Sequence, residues 1–288
     1  MKIKTCKDLV LKFCHSHNKN IAFVRGIFFI LVLILIVFFL LWTYTGQWFA
    51  QPLVVIESGS MEHTPPRYST DPPFGRLATI DAGDLLLSKK VMTRKDITVH
   101  GGNFGGAQAE NGWKSYGDYG DAIIFFPDGH MDEISVVHRA MCWVDVKDLG
   151  SERRYTIQEF GIYNQSSLGP IPELGLDYTV TPNWTHSGFL TKGDNNKIFD
   201  NLANQGIYQS TQPIKVEWIE GKARGEIPWF GTINLLLADI VSGTNKVNNV
   251  HEDCLICLIV VIISIAAIIL LIDFIGNQNQ KEPGEKEP

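Results

Sequence analysis

The chain has 288 residues, of which 45% are hydrophobic and 19% charged, and its formal net charge is −6. That length supports one substantial domain with accessories, and mild acidity without a basic patch excludes an electrostatic nucleic-acid binder. Of the five cysteines, Cys6, Cys14, Cys142, Cys254 and Cys257, only Cys142 lies well inside the central segment, so no disulfide framework staples it.

Residues 1–25 read as a cytoplasmic N-terminus. Lys2, Lys4, Lys7, Lys12, Lys19 and Arg25 stand there against the single acid Asp8. A first membrane span is expected over 26–44, because Ile27 to Trp42 contains no polar residue and a bilayer core needs about 20 apolar helical residues. The span reads as an uncleaved anchor: the first plausible exit, after Ala50, puts Trp48 where a signal-sequence cleavage site wants a small side chain. The basic flank keeps the N-terminus inside. A second span is expected over 254–273, returning the tail 274–288 to the cytoplasm and leaving 45–253 outside the membrane.

The exported segment reads as mainly β. Short β-branched and aromatic runs, Leu53–Ile56, Leu85–Leu87, Ala122–Phe126, Ile134–Val137, Ala140–Val144, Tyr155–Glu159, Gly188–Thr191 and Ile214–Ile219, alternate with Gly, Pro, Asp and Asn. This spacing predicts an antiparallel domain, with no strand–helix alternation to suggest a parallel sheet. Two stretches read as insertions, Thr64–Leu77 and the glycine-rich Val99–Tyr119. Trp229–Val241 is apolar with little polar relief and reads as a core helix or as a segment resting on the membrane; its leading aromatics favour the second. His251, Asp253, Cys254 and Cys257 do not read as a metal site, since the cysteines run into a membrane helix. No cofactor is expected.

Ser58-Gly59-Ser60-Met61 follows the first strand-like run. A serine hydroxyl at neutral pH is a weak nucleophile and needs a neighbouring base. His138, in Ser-Val-Val-His-Arg-Ala, alternates onto the face of Ile134 and Val136. Phe189–Asn196 ends a strand in Thr-Lys-Gly-Asp-Asn-Asn, and Asp200 follows Asp194 by six residues. Each of these alone is an ordinary turn or strand residue.

Their order, closing with Gly-Lys-Ala-Arg-Gly-x-x-Pro at Gly221–Pro228, resembles the signal peptidase I family, in the archaeal and endoplasmic-reticulum branch that uses histidine as base. The boxes cover most of the exported segment. The resemblance implies an antiparallel β catalytic domain of signal peptidase type flanked by two transmembrane helices. It implies a membrane serine endopeptidase that removes signal peptides from exported preproteins, with small side chains at the first and third positions before the cut. By position, Ser60 matches the nucleophile and His138 the general base, while Asp194 and Asp200 match the family's two aspartates. Asp200 is the one expected to orient His138 and Asp194 to support the site, though residue order alone does not separate their roles. Ser58 matches the serine that stabilises the oxyanion together with the Ser60 N–H. The implied partners are signal peptides and the lipid bilayer, with association with secretion machinery admitted. The implied setting is a cell or endoplasmic-reticulum membrane, multi-pass, with the site on the extracytoplasmic side. The family resemblance leaves the two long insertions unexplained.

Three rivals stand beside this. One is a catalytically silent membrane subunit or glycoprotein that kept the fold, which the sequons at Asn164 and Asn183 fit equally well. Another replaces the base by Lys89 or Lys90. The third, a self-cleaving repressor, needs a DNA-binding module that 25 N-terminal residues are too short to supply.

Overall fold

A computed structural model describes residues 18–48, 51–65, 68, 70–101, 113–202 and 211–279. Most of the expected cytoplasmic segments 1–25 and 274–288, and positions 102–112 of the glycine-rich stretch, lie outside the described residues. The chain divides into two units, Met1–Pro52 and Leu53–Pro288.

The first unit holds helix α1, Lys19–Thr45. The Asn18 side chain accepts from the Asn20 N–H at its start, and Gly46 ends it in the left-handed region with its N–H on the Trp42 carbonyl. Its apolar side chains are exposed along most of its length, and it is long and apolar enough to cross a membrane. The helix starts seven residues before the expected boundary.

The second unit is built on antiparallel strands: β1 (Leu53–Val55), β2 (Leu85–Lys89), β3 (Lys114–Ser115), β4 (Asp118–Tyr119), β5 (Ala122–Phe125), β6 (Val136–Asp148), β7 (Arg153–Ile157), β8 (Ile162–Gln165), β9 (Gly188–Lys192) and β10 (Ile219–Ile227). The main sheet runs β1-β2-β10-β5-β6-β7-β8, with β9 also on β6, and every pair is antiparallel. The expected antiparallel β domain is therefore present. β3 and β4 form a separate hairpin whose two turn residues, Tyr116 and Gly117, both have positive φ, 51° and 83°, as a type I′ turn demands.

Two boundaries differ from expectation. The runs Ile134–Val137 and Ala140–Val144 form one strand, β6, because the intervening polar pair His138 and Arg139 is buried rather than turned to solvent. Ile214–Ile219 gives a bridge from Ile214 to Phe189, a 3-10 turn over Val216–Trp218 and, with Ile219, the first residue of β10. The strand proper is β10, whose inward positions include the small residues Gly221 and Ala223, so its period-2 pattern carries little hydrophobic signal.

One core cluster, with Ile56, Met61, Ile80, Leu86, Ile124, Val137 and Ala223, lies under β1, β2 and β10. Another fills the far lobe around Tyr155, Trp184 and Phe199. Helices α2 (Gly231–Ser242) and α3 (Glu252–Asn279) follow the sheet. α3 is also long and apolar enough to cross a membrane, spanning about 40 Å at 1.5 Å per residue. The foot of α3 is bound to the β domain: Ala82, Leu235, Val250 and Cys254 share one buried cluster. The Gly75 N–H donates to Asp253, and the Trp229 indole N–H donates to the Gly75 carbonyl, at 3.0 and 2.6 Å. The end of the stretch read as an insertion, Thr64–Leu77, is thus a strap between β domain and α3.

Candidate active site

Ser60 sits in a single 3-10 turn, Gly59–Met61, directly after β1. Met61 anchors this turn by burying its side chain in the core, worth roughly 1.5–3 kcal/mol for a side chain of that size. The turn is also gripped from the β9 side. The Asn195 N–H donates to the Ser60 carbonyl at 2.8 Å, and the Asn195 side-chain amide donates to the Gly59 carbonyl at 3.0 Å. Gly193 permits this approach, since a Cβ there would meet the Ser60 carbonyl oxygen at 2.6 Å.

The Ser60 Oγ lies 3.0 Å from Nε2 of His138. On the other side of the ring, Nδ1 lies 2.5 Å from Oδ2 of Asp200. Asp200 is itself fixed: the Thr191 hydroxyl donates to the same oxygen at 2.8 Å, and the Asp200 N–H donates to the Thr191 carbonyl at 2.8 Å. His138 and Asp200 are buried, whereas Ser58 is exposed. With Nδ1 carrying its proton toward Asp200, the Nε2 lone pair turns to the serine hydroxyl; the other Asp200 oxygen, Oδ1, is buried without a hydrogen-bond partner. Ser58 Oγ is 3.4 Å from Ser60 Oγ, and the Ser60 N–H stands in the first turn of the 3-10 helix, where no intrahelical acceptor exists.

Ser60, His138, Asp200 and Ser58, named from sequence, are thus brought together. Asp194 is not part of this chain of contacts. It pairs instead with Arg139, accepting from Nε at 2.7 Å and from Nη2 at 2.5 Å, and its Oδ2 meets Nε2 of His63 at 2.7 Å. The reason is strand geometry: Arg139 follows His138 on β6 and leaves by the other face. Arg139 is fully buried, and Nη1 also donates to the carbonyls of Ser115, Asp118, Tyr119 and Gly120. Burial by itself pushes the Asp194 carboxyl up, but the adjacent guanidinium and the His63 contact outweigh it and hold the group below the ordinary carboxylate range. His63 stacks on Tyr68 with ring centroids 3.7 Å apart.

Sequence reasoning missed Arg139, His63, Tyr68, Thr191 and Asn195. The only available sign was Arg139 itself, a charged residue inside an apolar strand run. Lys89 and Lys90 lie exposed at the end of β2, outside the cleft that holds Ser60, so the lysine-base alternative has no geometry behind it. Among the described residues no His, Cys, Asp or Glu group could hold a metal ion.

A cleft of about 470 Å³ opens beside the serine, walled by Val54 and Ile56 on one side and Ile134, Val136 and His138 on the other. Its walls are strand edges. β1 ends the sheet, and β9 joins β6 only from Arg139 onward, so among the described residues no strand covers β1 or the Val136–His138 edge opposite β5. Lys246 and Asn249 also line the cleft. The Asn249 amide donates to the Glu57 carbonyl at 2.8 Å, and Lys246 pairs with the Glu57 carboxylate at 2.6 Å. These residues lie three to six positions before α3, so the cleft stands at the foot of that helix. No family model matches the chain and no curated protein matches it.

Proposed function

We propose that this protein is a membrane-anchored serine endopeptidase of the signal peptidase type, cutting signal peptides from exported preproteins at the outer membrane surface. The observation that carries it is the Ser60–His138–Asp200 relay opening onto an apolar, strand-edged cleft at the root of a membrane-length helix. In this reading α1 and α3 both cross the bilayer.

An extended peptide enters the cleft by strand addition, its main chain pairing with the free edges of β1 and β6 and alternate side chains filling the apolar wall. The apolar walls include Val54, Ile56 and Val136, and the family resemblance implies small side chains next to the cut. His138 Nε2 takes the Ser60 proton as Oγ attacks the scissile carbonyl. Asp200 holds the imidazolium that forms. The oxyanion is met by the Ser60 N–H, fixed by the turn before the reaction begins, and by the nearby Ser58 hydroxyl. The imidazolium then protonates the leaving amine, and water repeats the cycle on the acyl-enzyme. A substrate held in the same bilayer by its own apolar core meets this cleft at high effective concentration.

The test is cleavage of a reporter preprotein in membranes, with N-terminal sequencing of the product. Wild type should give one defined new N-terminus, and Ser60→Ala and His138→Ala should each abolish it. Equal processing by Ser60→Ala and wild type would leave only a binding role.

A further inference from the structure

α2 carries its apolar stripe on the wrong side for a soluble protein. Ile233, Leu236, Leu237, Ile240 and Val241 repeat at i, i+3, i+4, i+7 and i+8, the spacing of one helix face. Such a face is ordinarily turned to the core. Here the buried positions are Gly231, Thr232 and Leu235, and the whole stripe is exposed, reaching 79% at Ile240 and 83% at Val241. No charged side chain interrupts it; the single acid of the helix, Asp239, is taken up by the Thr244 hydroxyl and by the Lys246 and Val247 N–H groups.

A second element shows the same inversion. Phe74 and Leu77, at the two ends of the Gly75–Arg76 strap, are exposed at 71% and 44%. Both elements are fastened to the foot of α3. Leu235 of α2 shares a buried cluster with Val250 and Cys254, and Gly75 is hydrogen-bonded to Asp253 and to Trp229, two residues before α2. Past the buried Leu258, α3 itself exposes most of its apolar side chains, from Ile259 to Ile275. The exposed stripe, the strap and the helix shaft therefore form apolar surface around one root.

We propose that α2 and the Phe74–Leu77 strap form a collar that lies in the lipid interface around the root of α3, an inference that rests on α3 crossing the bilayer as proposed above. The occupant is lipid rather than a protein groove because the apolar surface is continuous with the helix that lipid surrounds, and because two separate elements converge on that root. A helix with an uncharged apolar face beside a spanning helix buries that face at the headgroup–acyl boundary. The collar sets the height of the cleft: Lys246 and Asn249, which line it, lie between α2 and α3 in sequence.

The test is site-specific photocrosslinking of the full chain in phosphatidylcholine vesicles that carry a labelled lipid. Benzoylphenylalanine is placed singly at Ile240, Leu237 and Phe74, at Ile263 on the α3 shaft, and at Tyr163 on the far lobe. All five positions are exposed, so each variant keeps its packing. Label is expected at Ile240, Leu237, Phe74 and Ile263 and absent at Tyr163. Label at Ile263 with none at Ile240 and Leu237, or a protein–protein adduct with a second copy at those two, overturns the collar while leaving the spanning helix in place. Absence of label at Ile263 as well overturns both. As a second readout, Ile240→Glu with Val241→Glu should slow cleavage of a bilayer-embedded preprotein at least several-fold and leave cleavage of a short soluble peptide in detergent unchanged. An equal effect on both substrates would count against the collar.

Discussion

His138 and Arg139 are consecutive on β6, and one loop serves both: the turn after β9 gives Asp200 to His138 Nδ1 at 2.5 Å and Asp194 to the Arg139 guanidinium at 2.5 Å. The two aspartates named from sequence therefore do different work. Asp200 completes the chain of hydrogen bonds through His138 to Ser60, whereas Asp194 fixes the loop and strand that present it.

Substitution at these two positions should separate the roles. Asp200→Asn leaves a neutral partner that no longer holds the proper tautomer or the imidazolium, and kcat should fall about 10³–10⁴-fold with thermal stability little changed. Asp194→Asn leaves Arg139 buried without its counter-charge, a type of change that costs about 3–5 kcal/mol. Its mark should be a lowered unfolding midpoint of the detergent-solubilised protein. Equal stability losses in the two variants would refute the division.

Stability should peak in mildly acidic solution. Asp84 is buried, and loss of solvation with Asp81 and Glu226 nearby pushes its carboxyl up to about 7, although the Trp229 and Asp81 N–H groups oppose the shift. A carboxyl raised on folding binds its proton more tightly in the folded state, so stability falls as pH rises from about 4, its unfolded value, toward 7. His100 adds to the same slope. Burial lowers its affinity for a proton, but its contacts with Asp118 and the Gly101 carbonyl outweigh that and raise it, giving stability that is lost as pH rises through the folded value. Below about pH 4 the sign reverses, because Asp194 and Asp118 are depressed, Asp118 to about 2, and their pairs are lost on protonation. Unfolding midpoints at pH 8, 6.5, 5 and 3 should rise and then fall along that series. Asp84→Asn should flatten the limb between pH 5 and 8; an unchanged slope would remove Asp84 as its source.

Gly193→Ala should damage catalysis more than folding. The new methyl group would meet the Ser60 carbonyl oxygen at 2.6 Å and the Asn196 amide at 2.7 Å, and the serine turn must move to admit it. A displacement of about 1 Å at a nucleophile can cost about 10²-fold. We expect that loss in kcat with KM nearly constant. Unaltered kcat would mean that the turn yields without carrying Ser60 away from His138.

Much of this architecture was legible from residue order. Apolar runs mark α1 and α3, and β-branched runs separated by Gly, Pro, Asp and Asn mark β1, β2, β5 and β9. Ser60, His138 and Asp200 were found because their flanking boxes occur in a recognisable sequence. The second layer was not. His63 meets Asp194 across 131 positions and Arg139 meets Gly120 across 19, and no local pattern encodes such pairings. β10 was hidden for a different reason: Gly221 and Ala223 satisfy burial by smallness, not by hydrophobicity. The strap at Gly75 looked like an insertion because its partner, Asp253, lies 178 positions away.

Ser58 offers the most direct probe of the oxyanion arrangement. Its side chain is exposed and lines the cleft, and its hydroxyl lies 3.4 Å from Ser60 Oγ, a long and weak contact. In the ground state it therefore contributes little. In the proposed reaction, once Oγ attacks, charge develops on the carbonyl oxygen, and a donor beside it strengthens its bond only as the transition state forms. Ser58→Ala should lower kcat about 10²–10³-fold, the usual effect of losing one oxyanion donor, with KM and the unfolding midpoint almost unchanged. Ser58→Thr, which keeps the hydroxyl, should recover much of the rate. If Ser58→Ala instead raises KM at constant kcat, the hydroxyl binds substrate in the ground state, and stabilisation of the oxyanion falls to the Ser60 N–H alone.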